Sequence, residues 1–187
     1  MPVAAALVLA GSGKANRDSD ARLPGHRMLR AGVTKAVAGA LAGAQVSTLR
    51  YDKRGIGASS GDYLRAGMTQ RLADARAGLG WLAARAAGLP LLVVGHSEGA
   101  WYAAGLAADE DVDGVVLLSV AARPGEQVLA WQTEMLLPRL PLAARTVLRI
   151  TRSDPIRTQR KRLARIRAAP GRCHAHPGSA GQCPLDP

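Results

Sequence analysis

The 187-residue sequence contains no phenylalanine, and aromatic residues make up only 3% of it. Its core must therefore be built from alanine, leucine and valine, with three tryptophans as the largest side chains. Hydrophobic residues nevertheless account for 48% of the chain, a fraction typical of globular proteins. This composition excludes wholesale disorder and leaves room for one domain with a buried core.

Long hydrophobic runs are also missing. No stretch of about 18 apolar residues occurs, so we expect no transmembrane helix and no membrane partner. The apolar opening, Pro2–Ala10, has the hydrophobicity of a secretion signal. It lacks a preceding positive region and continues directly into Gly11-Ser12-Gly13, which favours a buried strand. We therefore expect a cytoplasmic protein.

Cysteine is scarce, and both copies, Cys173 and Cys183, lie in the final segment. Together with His174 and His176 they suggest a metal site, but their spacing matches no known zinc pattern. The segment 169–187 shows neither helical nor strand periodicity, and we predict an irregular tail. We expect no metal and no cofactor.

Acidic residues are almost absent from one stretch of the chain. Residues 138–172 hold eleven lysines and arginines against Asp154 alone, and this stretch accounts for most of the net charge of +11. Such a segment could bind nucleic acid or an anionic membrane, with a steep salt dependence carried by the arginines between 157 and 167. We favour solvated basic helices and expect no nucleic-acid partner, with the binding role as an alternative.

What the sequence does contain is a regular alternation of strand and helix patterns. Four strands are predicted by the apolar runs at 3–10, 45–51, 91–94 and 112–120. Helices are predicted at 33–41, at 72–86 with Thr69 as its N-cap, and at 98–108, with a polar loop after the first strand. This alternation is typical of an α/β fold with a parallel sheet.

Beyond residue 120 the pattern changes to helices alone. Apolar stripes within 124–137, 140–151 and 156–166 predict three helices with an apolar seam and a basic outer face. We accordingly divide the chain into an α/β core at 1–122, a helical segment at 123–168 and the irregular tail at 169–187.

The strongest chemical motif is Gly95-His96-Ser97-Glu98-Gly99, placed between a predicted strand and a predicted helix. This arrangement fits a nucleophile elbow, in which a sharp turn lifts a serine hydroxyl to a helix N-terminus. Gly95 and Gly99 must be small so that neighbouring backbone can pass closely. We predict Ser97 as the nucleophile and the backbone N–H of Glu98 as an oxyanion donor, and we interpret His96 as structural.

A second glycine-flanked loop, Gly11-Ser12-Gly13, follows the first strand directly. An acyl-transfer enzyme needs a second N–H that converges on the oxyanion, and the backbone of Ser12 is our candidate. Phosphate-binding motifs do not fit here. A Walker A loop would need glycine at position 8 and a hydroxyl residue at 15, which are Val8 and Ala15.

A third motif, Asp52-Lys53-Arg54-Gly55-Ile56-Gly57-Ala58-Ser59, follows the second predicted strand. With the loop at 11–13 and the serine motif, it makes the chain resemble bacterial α/β-hydrolases of the esterase and serine-aminopeptidase-like group over residues 3–165. The resemblance gives Asp52, Arg54, Gly55, Gly57 and Ser59 a structural role in a turn. It implies a partial α/β-hydrolase fold of about four parallel strands, with the segment 123–168 as a helical cap.

The resemblance also implies an activity: hydrolysis of carboxylic esters, with amides or peptides as an open alternative, through an acyl-enzyme on Ser97. The family's acid and histidine follow later strands, whereas here only Asp154, His174 and His176 have the required order. Because Asp154 lies between predicted helices and both histidines lie in the tail, we expect no complete triad and weak or absent activity. A truncated or frame-changed gene is one hypothesis for the tail, and a non-catalytic interaction module is the alternative function. The oligomeric state stays open.

Overall fold

The computed structural model describes residues 1–22, 28–151 and 154–168. The predicted tail, with both cysteines and with His174 and His176, lies outside these residues. Backbone contacts divide the chain into two compact units, Met1–Ala121 and Ala122–Pro187. The assignment of 123–168 as a cap and of 169–187 as an irregular tail stays a prediction.

The first unit combines strands and helices in alternation. Its strands in the described range are β1 (Ala4–Leu9), β2 (Asp20–Arg22), β3 (Met28–Arg30), β4 (Val46–Leu49), β5 (Leu91–His96) and β6 (Gly114–Leu118). Its helices there are α1 (Val33–Gly43), α2 (Met68–Arg85) and α3 (Glu98–Asp109). The structure therefore confirms the α/β class predicted from the alternating apolar patterns.

A parallel four-stranded sheet organises this unit, in the order β4-β1-β5-β6. Every residue of β1 is buried, which explains why this strand reads as a continuous apolar run without alternation. Leu7 and Leu9 pack on one side of the sheet with Leu79 of α2 and Leu106 of α3. Val8 packs on the other side, against residues that include Val37 of α1.

The loop after β1 is more ordered than the sequence predicted. Instead of a polar loop, residues 20–22 and 28–30 form a short antiparallel ribbon, with Asp20 opposite Arg30. The hydroxyls of Ser19 and Thr34 lie 2.8 Å apart within hydrogen-bonding distance, and Thr34 is fully buried. Strands of three residues are too short to show a periodicity, so the sequence pattern could not reveal them.

Several predicted boundaries need correction. Gly67, not Thr69, is the N-cap of α2, and Thr69 lies inside the first helical turn. Predicted strand 45–51 shortens to β4 because Gln45 has a positive φ of 58° and is not extended. Predicted strand 112–120 shortens to β6, and Ser119, with φ of 52°, begins the bend that follows it.

The second unit is helical in its described part, with α4 (Gly125–Leu136), a short 3-10 helix (Leu137–Arg139), α5 (Leu142–Ile150) and α6 (Pro155–Ala168). The expected apolar seam is not buried in α4 and α5, where no residue is buried. Leu142 and Ile150 of α5 are 81% and 76% exposed. Over the described residues, no helix has the length and apolar character needed to cross a membrane.

Candidate active site

Ser97 occupies the bend between β5 and α3, where its backbone adopts φ 55° and ψ −115°. Such a conformation is costly for a residue with a side chain and persists only where the surroundings hold it. The Ser97 N–H donates to the carbonyl of Leu118 at 2.9 Å, and the Ser97 carbonyl accepts from Ala100 N–H at 3.0 Å. These bonds anchor the bend to β6 on one side and to α3 on the other.

Two glycines allow this bend by letting backbone segments approach closely. A Cβ at Gly95 would overlap the carbonyl of Gly99, and one at Gly99 would lie 2.5 Å from the carbonyl oxygen of Leu9 in β1. No side chain fits at such distances without displacing the main chain. The spacing of these glycines around Ser97 is therefore a steric requirement of the fold.

The glycine-flanked loop after β1 lies against the same bend. A Cβ at Gly11 would be 3.2 Å from the Ser97 Cβ and 3.0 Å from Nδ1 of His96. Ser12 is exposed. The structure thus brings together Ser97 and the loop that contains Ser12, while the roles of both as nucleophile and oxyanion donor stay predictions.

Glu98 is the first residue of α3, so its N–H has no carbonyl partner within the helix and lies at the positive end of the helix dipole. The Glu98 carboxylate has two hydrogen-bond partners that were not predicted from the sequence. Oε1 accepts hydrogen bonds from Arg71 Nη1 at 2.9 Å and from the Tyr102 hydroxyl at 2.5 Å. Burial, and then the bond to Glu98, raise the pKa of Tyr102, so this hydroxyl stays a donor. The spacing of Glu98 and Tyr102, one helical turn apart, was the available signal.

Arg71 extends this cluster to the loop before α2. Its guanidinium carbon lies 4.4 Å from the centroid of the Tyr63 ring, and Nη2 donates to the Tyr63 carbonyl at 3.2 Å. The side chains of Arg71 and Glu98 are only 17% and 15% exposed, so water screens this pair little. The cluster therefore fixes the start of α3, where Glu98 follows Ser97.

Lys53 reaches the loop that contains Ser12. Its ammonium donates to the carbonyls of Gly11 and Gly13, each at 2.6 Å. Burial lowers the pKa of Lys53 to about 8, while the negative charge of Glu98 acts in the opposite direction. Sequence reasoning missed this residue, although it stands inside the recognised turn motif between Asp52 and Arg54.

Several hydrogen bonds converge on Asp52 in the turn after β4. The Asp52 carboxylate accepts from the backbone N–H and from Nη2 of Arg17, both at 2.7 Å, and from Ala58 N–H at 3.0 Å. The hydrogen bond from Arg17 is the main reason that the pKa of Asp52 falls to about 2. Ser59 Oγ donates to the Asp52 carbonyl at 2.6 Å, which closes the turn.

Glycines and an ion pair complete this turn. Gly57, at φ 55°, leaves no space for a side chain because a Cβ there would overlap the Asp52 carboxylate. At Gly55 a Cβ would lie 2.6 Å from the backbone nitrogen of Tyr63. Arg54 forms an ion pair with Asp74 of α2, to which its Nε donates at 3.1 Å. The turn is thereby attached to the helix beside the sheet.

His174 and His176 lie outside the described residues, so Asp154 is the one candidate triad partner that falls among the described residues. His96, the only histidine among them, holds its Nδ1 buried and without a hydrogen-bond partner in the described part of the chain. Asp154 belongs to the second unit, where its Oδ1 accepts from Arg157 N–H at 3.0 Å and caps the start of α6. In the same residue ranges, no group of three histidine, cysteine or acidic side chains could hold a metal ion.

A family model described as serine aminopeptidase, S33, matches residues 26–177, which include the Asp52 turn and Ser97. Among curated proteins, none matches the sequence.

Solved structures resemble the chain in fold. An esterase from Pyrococcus furiosus, solved in two crystal forms, has a TM-score of 0.54 and 20% identity in both, over 79% and 80% of this chain. A serine hydrolase homologue from Coxiella burnetii is 23% identical over 61% of this chain and 49% of its own, with a TM-score of 0.47.

The aligned part covers 51% and 55% of the esterase, so the chain spans about half the length of the structures that it matches. At this identity the likeness concerns the fold alone. It confirms a partial α/β-hydrolase fold, with four parallel strands and flanking helices.

Proposed function

Because the chain belongs to the serine aminopeptidase S33 family, we propose that it is a serine hydrolase in which Ser97 forms an acyl-enzyme with carboxylic esters. The observation that carries the proposal is the strained bend of Ser97 beside the Gly11–Gly13 loop. Strained backbone of this kind concentrates at functional sites, since packing must sustain its cost. The bend presents a hydroxyl at the N-terminus of α3, where negative charge is stabilised.

The chemistry follows from this arrangement. The Ser97 Oγ attacks the ester carbonyl carbon, its proton passes to solvent water, and the carbonyl oxygen becomes an oxyanion. This step is slow, because no protein base is described beside Ser97. Backbone N–H groups of Ser12 and Glu98 stabilise that oxyanion. The alcohol then leaves with its bonding electrons and a proton, and water hydrolyses the acyl-enzyme to the acid and free Ser97. No metal or cofactor takes part in these steps.

We propose esters ahead of amides as substrates. An amine must be protonated before it leaves a tetrahedral intermediate, and this requires a placed general acid, whereas an activated alcohol leaves more readily. The Nδ1 of His96 is buried and has no hydrogen-bond partner among the described residues, so that nitrogen does not supply such an acid. The description of the Pyrococcus furiosus protein as an esterase supports the same choice.

Labelling by a fluorophosphonate probe tests the proposal. We expect slow labelling of the full chain at Ser97, mapped by mass spectrometry and lost in Ser97→Ala. Ser119→Ala is the matched control, because Ser119 is an exposed serine, also with positive φ, that follows β6 next to Leu118. Equal labelling of Ser97→Ala and the unmodified chain, with both folded by circular dichroism, would contradict the proposal.

One observation favours a non-catalytic interaction module as the second candidate. Within the described residues His96 is the only histidine, its Nδ1 is buried without a hydrogen-bond partner, and no hydrogen bond joins a histidine to Ser97 there. An unlabelled Ser97 in a folded chain would favour this candidate over the hydrolase.

A further inference from the structure

The side chain of Lys53 forms a bridge that the proposed chemistry has not used. Lys53 stands in the turn after β4, and its Nζ donates to two carbonyls, those of Gly11 and Gly13, at 2.6 Å each. Both carbonyls belong to the loop that packs on Ser97 through Gly11. One ammonium group therefore holds the two ends of a three-residue loop whose middle residue is Ser12.

These bonds determine the orientation of the Ser12 N–H. The carbonyl of Gly11 and the N–H of Ser12 belong to the same peptide unit, and in a trans peptide they point in opposite directions. When Lys53 binds the Gly11 carbonyl, the Ser12 N–H must point away from Lys53. In the described part of the chain, no protein group accepts a hydrogen bond from that N–H. It is left as a free, oriented donor.

We propose that Lys53 is a positioning residue that orients the Gly11–Ser12 peptide so that the Ser12 N–H serves as an oxyanion donor. This inference rests on the proposed function of Ser97. A loop peptide without such a partner is free to rotate, and a charge-assisted hydrogen bond is stronger than one from a neutral donor. The ammonium also polarises the peptide that it binds, which makes the N–H on the other side a better donor.

The surroundings of Lys53 make its hydrogen bonds to the Gly11–Gly13 loop sensitive to pH. Glu98 of α3 favours the ammonium and Arg71 of α2 disfavours it, while the Tyr63 ring lies 5.7 Å from Nζ. Burial outweighs the attraction of Glu98 and lowers the pKa of Lys53 to about 8. The positioning bond should therefore weaken as pH rises through about 8, well below the range in which an exposed lysine titrates.

The rate of fluorophosphonate labelling at Ser97 tests the role in function. Loss of one oxyanion donor slows an acyl-transfer enzyme by about 100- to 1,000-fold, so we expect about 10- to 100-fold slower labelling from misorientation in Lys53→Met. Lys53→Arg keeps a charged donor and should recover most of that rate. Lys35→Met, an exposed lysine of α1, is the matched control and should label like the unmodified chain.

The pH profile separates positioning from a merely structural role. We compare the labelling rate of the unmodified chain with that of Lys53→Arg. The unmodified chain should become slower relative to Lys53→Arg as pH rises past about 8, because the lysine loses its charge there and the arginine keeps it. In nuclear magnetic resonance spectra, the Ser12 amide should titrate at the same pH in the unmodified chain. It should not titrate in either Lys53 variant.

Each outcome decides the inference. Labelled Ser97 with equal rates in the unmodified chain and Lys53→Met would overturn the role of Lys53 and leave the hydrolase proposal standing. Equal losses in the Met and Arg variants, or a Ser12 amide that does not titrate, would also overturn it. Absence of labelling in the unmodified chain would overturn both proposals.

Discussion

At the scale of residues, the backbone geometry of Ser97 depends on neighbouring glycines, which have no side chain. Three backbone segments meet at the bend, and the missing side chains of Gly95, Gly99 and Gly11 provide the space. The costly φ of Ser97 is thus maintained by packing and by the hydrogen bond to Leu118. Substitutions that add a single methyl group should act strongly at these glycines and weakly at glycines with open space around them, such as Gly39.

We expect Gly99→Ala to destabilise the protein by about 1–3 kcal/mol and to abolish labelling of Ser97, because the new Cβ would meet the Leu9 carbonyl. Gly39→Ala is the control: nothing lies within 4 Å of that site in α1, and alanine favours a helix by about 0.5–1 kcal/mol. Denaturant unfolding measures both. A Gly99→Ala protein as stable as the unmodified chain would refute the crowding argument.

Asp52 is the residue for which we predict a pH dependence of stability. Its pKa is lowered by Arg17 to about 2, from an ordinary value near 3.8, so the folded state binds fewer protons than the unfolded state between these values. Its stabilisation is complete above about pH 4 and is lost as pH falls through about 2. Asp52→Asn should lower the unfolding free energy by about 1–3 kcal/mol at pH 7. It should also reduce the dependence of that free energy on pH between pH 4 and 2.

Urea unfolding at several pH values measures this effect. Asp62→Asn is a suitable control, because Asp62 is exposed and its carboxylate accepts one local hydrogen bond, from Leu64 N–H. An unchanged pH profile in Asp52→Asn would contradict the assignment of acid sensitivity to the Asp52 turn.

At the scale of elements, β6 is one of two edge strands that the sheet has in the described part of the chain, and it is more exposed than the other, β4. It pairs with β5 on one side and forms an edge in the described part of the chain. Val115, Val116 and Leu117 are 36%, 44% and 41% exposed. An exposed apolar edge strand offers unpaired backbone groups and apolar side chains to another chain, so this element is the expected site of self-association.

We predict that Val116→Lys reduces self-association, because a charge on an edge strand opposes strand pairing. Val147→Lys is the matched control, since Val147 is also exposed but lies on helix α5, where no strand can add. Light scattering and size-exclusion chromatography at matched concentrations measure the difference. A larger effect of Val147→Lys would assign self-association to the helical unit instead.

Periodicity also explains which elements could be predicted. Helices α1, α2 and α3 have long apolar stripes, and β1 and β5 are dense apolar runs, so their positions were confirmed within a few residues. The β2–β3 ribbon has three residues in each strand and was missed. Strand β4 begins after Gln45 and β6 ends before Ser119 because these residues have positive φ values. Neither glutamine nor serine is a residue type from which a positive φ would be predicted.

At the scale of the whole molecule, activity depends on whether a base reaches Ser97. We expect hydrolysis of p-nitrophenyl acetate by the full chain to stay close to that of Ser97→Ala. An enzyme without triad partners keeps only about 1,000- to 10,000-fold acceleration over water from its oxyanion hole and binding. Turnover far above the Ser97→Ala control would contradict this and would show that a base is present.

The sequence alone determined the class of fold, the strand-to-helix bend at Ser97 and the three glycine-containing motifs. These depend on local chemistry, namely apolar periodicity, small residues and turn residues at fixed spacing. Tertiary structure decided how the motifs meet: Lys53 on Gly11 and Gly13, Arg71 and Tyr102 on Glu98, and Arg17 on Asp52. Most of these partners are far apart in sequence, and no local pattern records which distant side chains the packing of sheet and helices will bring into contact.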